Sequence, residues 1–111
     1  MKRRRPASAV RLSKRIRPLF WDYDFGQLTW EADSDLIIGR ILAAGDWEAI
    51  QWLRRLLPEP VLRDWLVRRH GAGLNSRQLR FWELVLELPR RLVNTWLSDP
   101  GRQVWEGRRH A

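Results

Sequence analysis

Between residues 33 and 57 the apolar positions return at helical spacing. Leu36, Ile37, Ile38, Ile41 and Leu42 fall on one face and predict a helix over 33–44, capped by Asp33 or Ser34. Gly45 stands where a left-handed helix end favours a residue without Cβ. Asp46 offers a carboxylate to the first free N–H groups of a second helix, expected over 47–57, and Glu48 suits its dipole. On this second helix Ile50, Leu53 and Leu57 share one line, and Ala49, Trp52 and Leu56 form a second line beside it. Together they make an apolar face about 160° wide at about 100° per residue, broader than the roughly 100° stripe of a surface helix. A face that broad predicts either a central place in a bundle, the favoured expectation, or an apolar strip presented to a partner. Trp47 falls outside it, near Arg54, and Arg40 is expected at the solvated or ion-paired edge of the first helix.

Pro58-Glu59-Pro60 ends the second helix and opens a third that runs to about Arg69. Its expected buried stripe is Val61, Leu62, Trp65 and Leu66, with Arg63, Arg68 and Arg69 pointing elsewhere. His70, directly before Gly71, is expected as a helix-end residue, and Gly71-Ala72-Gly73 as a flexible joint. Asn75 or Ser76 caps a fourth helix over 77–88, with Leu79, Trp82, Val85 and Leu86 inward and Phe81 and Leu84 flanking. Pro89 opens a fifth helix to about Leu97, on which Leu92, Val93, Trp96 and Leu97 recur. Ahead of the first helix, Leu19-Phe20-Trp21-Asp22-Tyr23-Asp24-Phe25 is too apolar to float free. It is expected to lie over the core as an irregular strap, with Leu28 and Trp30 docking and the two aspartates serving turns and caps. The expected fold is all-α: a compact bundle of about five short helices with an aromatic N-terminal strap. The expected organisation is a disordered basic arm over 1–17, a single helical domain over 18–97 and a frayed tail over 98–111.

Charge sharpens this picture. The chain has 111 residues, no cysteine and a formal net charge of +8. All of that charge lies in the first 17 residues, where Lys2, Arg3, Arg4, Arg5, Arg11, Lys14, Arg15 and Arg17 meet no acid. From Pro18 onward, 13 arginines balance 13 acids, so the body is neutral and the basic arm is an appendage. Arg3, Arg4, Arg5, Arg11, Lys14, Arg15 and Arg17 are therefore candidates for contact with nucleic acid or an acidic partner. Without cysteine there is neither a disulfide framework nor a thiolate metal site. No apolar run reaches the roughly 20 residues of a membrane span, and a cytoplasmic location with no membrane partner is expected.

The chemistry of catalysis is missing from the pattern. There is no His-acid-nucleophile set, no Gly-rich phosphate loop and no HExxH, and both histidines sit at chain or helix ends. No enzyme activity, cofactor, metal or catalytic residue is expected. A helix-turn-helix fits poorly, because the joint HGAGLNS between the third and fourth helices has seven residues where the motif uses three or four. What the chain has in excess is tryptophan, eight in all, together with arginine. These two residue types are enriched at the energetic centres of protein interfaces. Trp65 and Trp82 lie on core stripes, whereas Trp21, Trp30 and Trp47 do not.

Leu19-Phe20-Trp21-Asp22, Leu28-x-Trp30, Ile37-Ile38-x-Arg40-Ile41-Leu42-x-x-Gly45, Leu79-x-Phe81-Trp82 and Pro89 together resemble a small bacterial family of domains of unknown function. Its members commonly read LFWD…LDW…IIxRVLxxG, and the resemblance covers roughly residues 19–90. They are often encoded beside a nucleotidyltransferase-type toxin of the abortive-infection class. The resemblance implies a stoichiometric, antitoxin-like protein that binds and neutralises such a toxin. Trp21, Asp22, Trp30, Arg40 and Trp47 are then the expected partner-binding residues. The alternative expectation is a DNA-binding transcriptional regulator that lays the basic arm on phosphates.

Overall fold

The computed structural model describes residues 10–102, and among them five α-helices and two short 3-10 helices account for the regular structure, with no strand. The all-α expectation holds. The chain divides into two units, and the division falls inside the second α-helix, after Leu53.

In the first unit, the Ser13 hydroxyl accepts the Arg15 N–H at 3.1 Å and opens a 3-10 helix, Lys14–Phe20. Ile16 and Phe20 on this helix are essentially inaccessible to solvent. The sequence reading gave residues 14–17 to a disordered arm, and here it is corrected. Ile16 is a lone apolar residue in a run of cations, yet burying a side chain of its size contributes about 1.5–3 kcal/mol. Arg15 also pairs with Glu48. Residues 1–9 of the expected arm lie outside the described residues.

The strap continues through a 3-10 turn, Phe25–Gln27, capped by Asp24, whose carboxylate accepts the Gly26 N–H at 3.1 Å. Helix α1, Trp30–Ala44, begins one turn earlier than its apolar periodicity predicts. Thr29 is the cap: its hydroxyl accepts from the Ala32 N–H at 3.2 Å, and the Asp33 carboxylate returns to accept the Thr29 N–H at 2.9 Å. Asp33 leaves helical geometry to make that bond (φ −121°, ψ 15°), so the helix is kinked there. Ile37, Ile38, Ile41 and Leu42 form the buried face, and α1 packs on the first 3-10 helix.

Gly45 ends α1, but not in the left-handed conformation expected of it; its φ is −68°. Its N–H donates to the Ile41 carbonyl at 2.8 Å. A Cβ there would stand 2.7 Å from that same oxygen, so close approach, not backbone handedness, excludes a side chain. Helix α2, Trp47–Leu56, follows, with the Asp46 carboxylate accepting the Ala49 N–H at 2.9 Å as predicted. Ala49 and Leu53 are buried, while Ile50, Trp52, Leu56 and Leu57 are half-buried.

The second unit holds helices α3, Glu59–Arg68, α4, Ser76–Val85, and α5, Arg90–Leu97. Leu62, Trp65 and Leu66 of α3, Leu74 after it, Leu79 and Trp82 of α4, Leu86 and Leu88 beyond it, and Val93 and Trp96 of α5 make the core. Val61, expected in the buried stripe, is 44% exposed, because it occupies the first turn of α3, beside Pro60. Asn75 and Gln78 form a reciprocal capping box at the start of α4, each side chain accepting the other's backbone N–H at 2.9 Å.

Helices α3 and α4 both end in the same way. The N–H of Gly71 reaches the Leu66 carbonyl at 3.0 Å and that of His70 reaches Val67 at 3.2 Å. At the end of α4 the Leu88 N–H reaches the Glu83 carbonyl at 2.9 Å. The Gly71–Leu66 and Leu88–Glu83 bonds are six-to-one and the His70–Val67 bond is five-to-two, the pattern of Schellman ends, whose turning residue is left-handed. That residue is His70 (φ 52°) in one and Glu87 (φ 53°) in the other, where glycine is usual. The fourth helix therefore stops short of its expected end at residue 88. Helix α5 packs on α4, and Glu83 is the one buried charged residue among the described residues. Its carboxylate meets Arg80 at 2.6 Å and Arg90 at 3.5 Å, and Arg80 also donates to the Asn94 side chain at 2.6 Å.

The segment after α5 is tied down as far as it is described. Arg102 donates to the backbone carbonyls of Leu74 at 2.5 Å, Gly71 at 2.8 Å and His70 at 3.3 Å. The expected frayed tail thus begins later than residue 98, and residues 103–111 lie outside the described residues.

Candidate partner-binding surface

The strap of the first unit carries Trp21 and Asp22, and Arg40 reaches it from α1. Its geometry begins with the Phe20 side chain, which is buried and so fixes the backbone on either side of it. Trp21 then turns outward and is 85% exposed; Tyr23 is 46% exposed. Between them, Asp22 turns back. Its two carboxylate oxygens accept from the two terminal nitrogens of Arg40, both at 2.7 Å, in the bidentate pairing that planar guanidinium and carboxylate favour. One of those nitrogens also donates to the Leu19 carbonyl at 2.7 Å. The guanidinium lies 5.6 Å from the centre of the Phe20 ring and 5.4 Å from that of Tyr23, within reach of a cation–π attraction.

Arg40 is thus less a contact residue than a clamp. The hydrogen bonds from Arg40 hold the Asp22 carboxyl below its ordinary value, and Asp22 in turn raises the Arg40 guanidinium. Helix α1 presents the clamp because Arg40 falls on its edge, between the buried pairs Ile37-Ile38 and Ile41-Leu42. The four residues Leu19-Phe20-Trp21-Asp22 therefore have separable duties. Leu19 lends its carbonyl, Phe20 its buried ring and Asp22 its charge; Trp21 has no such structural contact among the described residues.

Of the five expected partner-binding residues, the structure leaves two open. Trp21 and Trp47 are 85% and 67% exposed. Trp30 is half-buried and meets Trp52 edge-on, with ring centres 6.2 Å apart. Asp22 and Arg40 satisfy each other. Among the expected arm contacts, Arg11, Lys14 and Arg17 are exposed, Arg15 is engaged by Glu48, and Arg3, Arg4 and Arg5 lie outside the described residues. Tyr23 was not singled out by the sequence reading, although its place two residues after Trp21 was a usable signal. Phe81 and Leu84 on α4, 51% and 77% exposed, were read as flanking positions and form a second outward apolar pair, in the second unit.

The second unit also has a groove of about 840 Å³ between the end of α3 and α5. His70 lies over Trp96 there, with ring centres 6.0 Å apart and planes 12° from parallel. Its polar groups are largely spent within the unit: Arg102 on three carbonyls, the Asp99 carboxylate on the Gly101 N–H, the Thr95 hydroxyl on the Arg91 carbonyl. No group of three or more metal-ligating side chains occurs among the described residues, and no helix there is long and apolar enough to cross a membrane.

No curated protein and no solved structure matches the chain. The strap, the clamp, Gly45 and the whole of α2 lie within a matched stretch, whereas Leu79-x-Phe81-Trp82 and Pro89, which also carried the resemblance, lie beyond it. Residues 16–64 match the model of a family of unknown function, DUF6922.

Proposed function

We propose that the chain is a non-enzymatic, antitoxin-like protein that binds and neutralises a nucleotidyltransferase-type toxin. The observation that carries this reading is Trp21, an indole 85% exposed on a strap whose neighbours are all fixed. An exposed residue on a mobile loop is costly to order on binding; here the backbone on either side of Trp21 is anchored beforehand, by the buried Phe20 and by the Asp22–Arg40 clamp. Tryptophan is also the residue type that most often dominates interface energetics. The partner's identity comes from the family resemblance alone.

Co-expression of the full chain with the product of the adjacent gene, followed by tagged purification and a growth assay, tests the reading. A nucleotidyltransferase recovered at fixed stoichiometry, with growth restored, is the expected result. Persistent toxicity with no co-purification overturns it.

The second reading, a DNA-binding regulator, has one observation in its favour: Arg11, Lys14 and Arg17 are exposed on the side of the chain that precedes the strap. It predicts duplex binding that weakens steeply with salt and vanishes when residues 1–17 are deleted. Because Ile16 is buried, that deletion also needs a check on folding, which charge reversal at Lys14 and Arg17 avoids.

A further inference from the structure

We propose that the strap seats an acidic segment of the protein partner, with an apolar side chain against Trp21 and Tyr23 and carboxylates on Lys14 and Arg17. The proposal rests on the reading of the chain as a protein-binding inhibitor and names the chemistry of the contact. A groove of about 530 Å³ runs along the strap. Its lining joins two cations, Lys14 and Arg17, to Pro18 and the rings of Phe20, Trp21, Tyr23 and Phe25, with Asp24 as its one acid.

Two features make this a receptor for a particular chemistry. The first is the state of its cations. Among the described cations of the first unit, Arg15 is committed to Glu48 and Arg40 to Asp22. Lys14 and Arg17, both exposed, have no ion pair among the described residues. The second is the state of its rings. Trp21 and Tyr23 offer open apolar surface; the Tyr23 ring packs on Phe20 and under the Arg40 guanidinium, and Trp21 lies between the buried Phe20 and the clamped Asp22 in the chain. Free cations and open rings line one groove, so an occupant needs both an acid and an apolar anchor within a few residues.

A nucleic-acid strand fits this layout less well. A strand stacking bases on Trp21 and Tyr23 brings its phosphates into a groove that the Asp24 carboxylate also lines. Asp24 lines the groove, and its carboxylate accepts the Gly26 N–H. A peptide can set its acids on Lys14 and Arg17 and neutral groups beside Asp24, a choice the regular charge of a nucleic-acid backbone does not allow.

The test uses the full chain, immobilised and panned against a displayed random-peptide library. Enriched sequences are expected to combine Asp or Glu with Leu, Phe or Trp. The best peptide, made synthetically, is expected to lose affinity at least about tenfold against W21A and against the double variant K14E/R17E. Circular dichroism of both variants should match the parent, since all three side chains are exposed. Enrichment without acids, or undiminished binding to both variants, overturns the proposal. Tighter binding of a labelled oligothymidylate, lost in the same variants, overturns it in favour of nucleic acid. The two readings fail separately. If W21A and K14E/R17E still neutralise the toxin, the groove is wrong and the antitoxin reading stands. If no toxin is neutralised but the peptides behave as expected, the groove stands without that partner.

Discussion

Asp22 and Arg40 show how one ion pair at the surface orders a strap. The pair is two-thirds shielded from solvent on each side and its geometry is bidentate. Lysine at position 40 keeps the charge but not the planar fork. R40K is therefore expected to lower the urea midpoint at unchanged slope. The pH dependence has a definite sign. Because the carboxyl of Asp22 is held below the ordinary aspartate value of about 3.9, its contribution is fully present above that value. It is lost as pH falls through the lower, folded value. Thermal melts of the parent and of D22N should differ by a constant amount above about pH 5 and converge as the medium becomes more acidic than pH 4. A difference that instead grew on acidification would place the pair's stabilisation elsewhere.

At the scale of elements, the two Schellman ends give the most direct stability test. An L-residue in the left-handed region costs roughly 1–2 kcal/mol, part of which glycine returns as extra freedom in the unfolded chain. Glu87 is exposed and makes its turn without the side chain being needed, so E87G is expected to raise stability by about 0.5–1 kcal/mol in thermal melts. At Gly71 the opposite holds: its φ is 67° and a Cβ would lie 2.9 Å from both terminal carbons of Leu79. G71A should destabilise by more than E87G stabilises. The element boundaries also show what was legible beforehand. All five α-helices and the Asp46 and Asn75 caps followed from periodicity and cap chemistry, because both are local. The Thr29 cap was missed because its partner, Asp33, looked like a helix start in its own right. The ends at Glu87 and the burial of Glu83 were missed for a different reason. Nothing local marks a glutamate as left-handed or as enclosed by Arg80 and Arg90; only packing of α4 on α5 decides it. In the candidate site, the excess of exposed tryptophan was legible as a composition, but the division of labour between Trp21 and Arg40 needed the fold.

For the molecule as a whole, charge and structure are distributed in opposite senses. The surplus cations lie at the front of the chain, whereas the body from Pro18 onward is neutral. Salt is therefore expected to act on binding through Lys14, Arg17 and their upstream neighbours far more than on stability. Stability rests instead on enclosed apolar side chains and on a few ties made late in the chain. Arg102 is the clearest of these, since it serves three carbonyls on the glycine turn at once. R102A leaves those carbonyls to water and is expected to cost about 1–2 kcal/mol, with faster amide exchange confined to residues 70–74. That tie also bears on the order of events during synthesis. A ribosome delivers the turn at residues 70–74 well before it delivers Arg102, the last of the described residues. While translation proceeds, α3 and α4 are joined by an unlatched hinge. The second unit acquires its final fastening only after α5 has emerged, so a stalled nascent chain should remain open to a protease at a turn that the released protein protects.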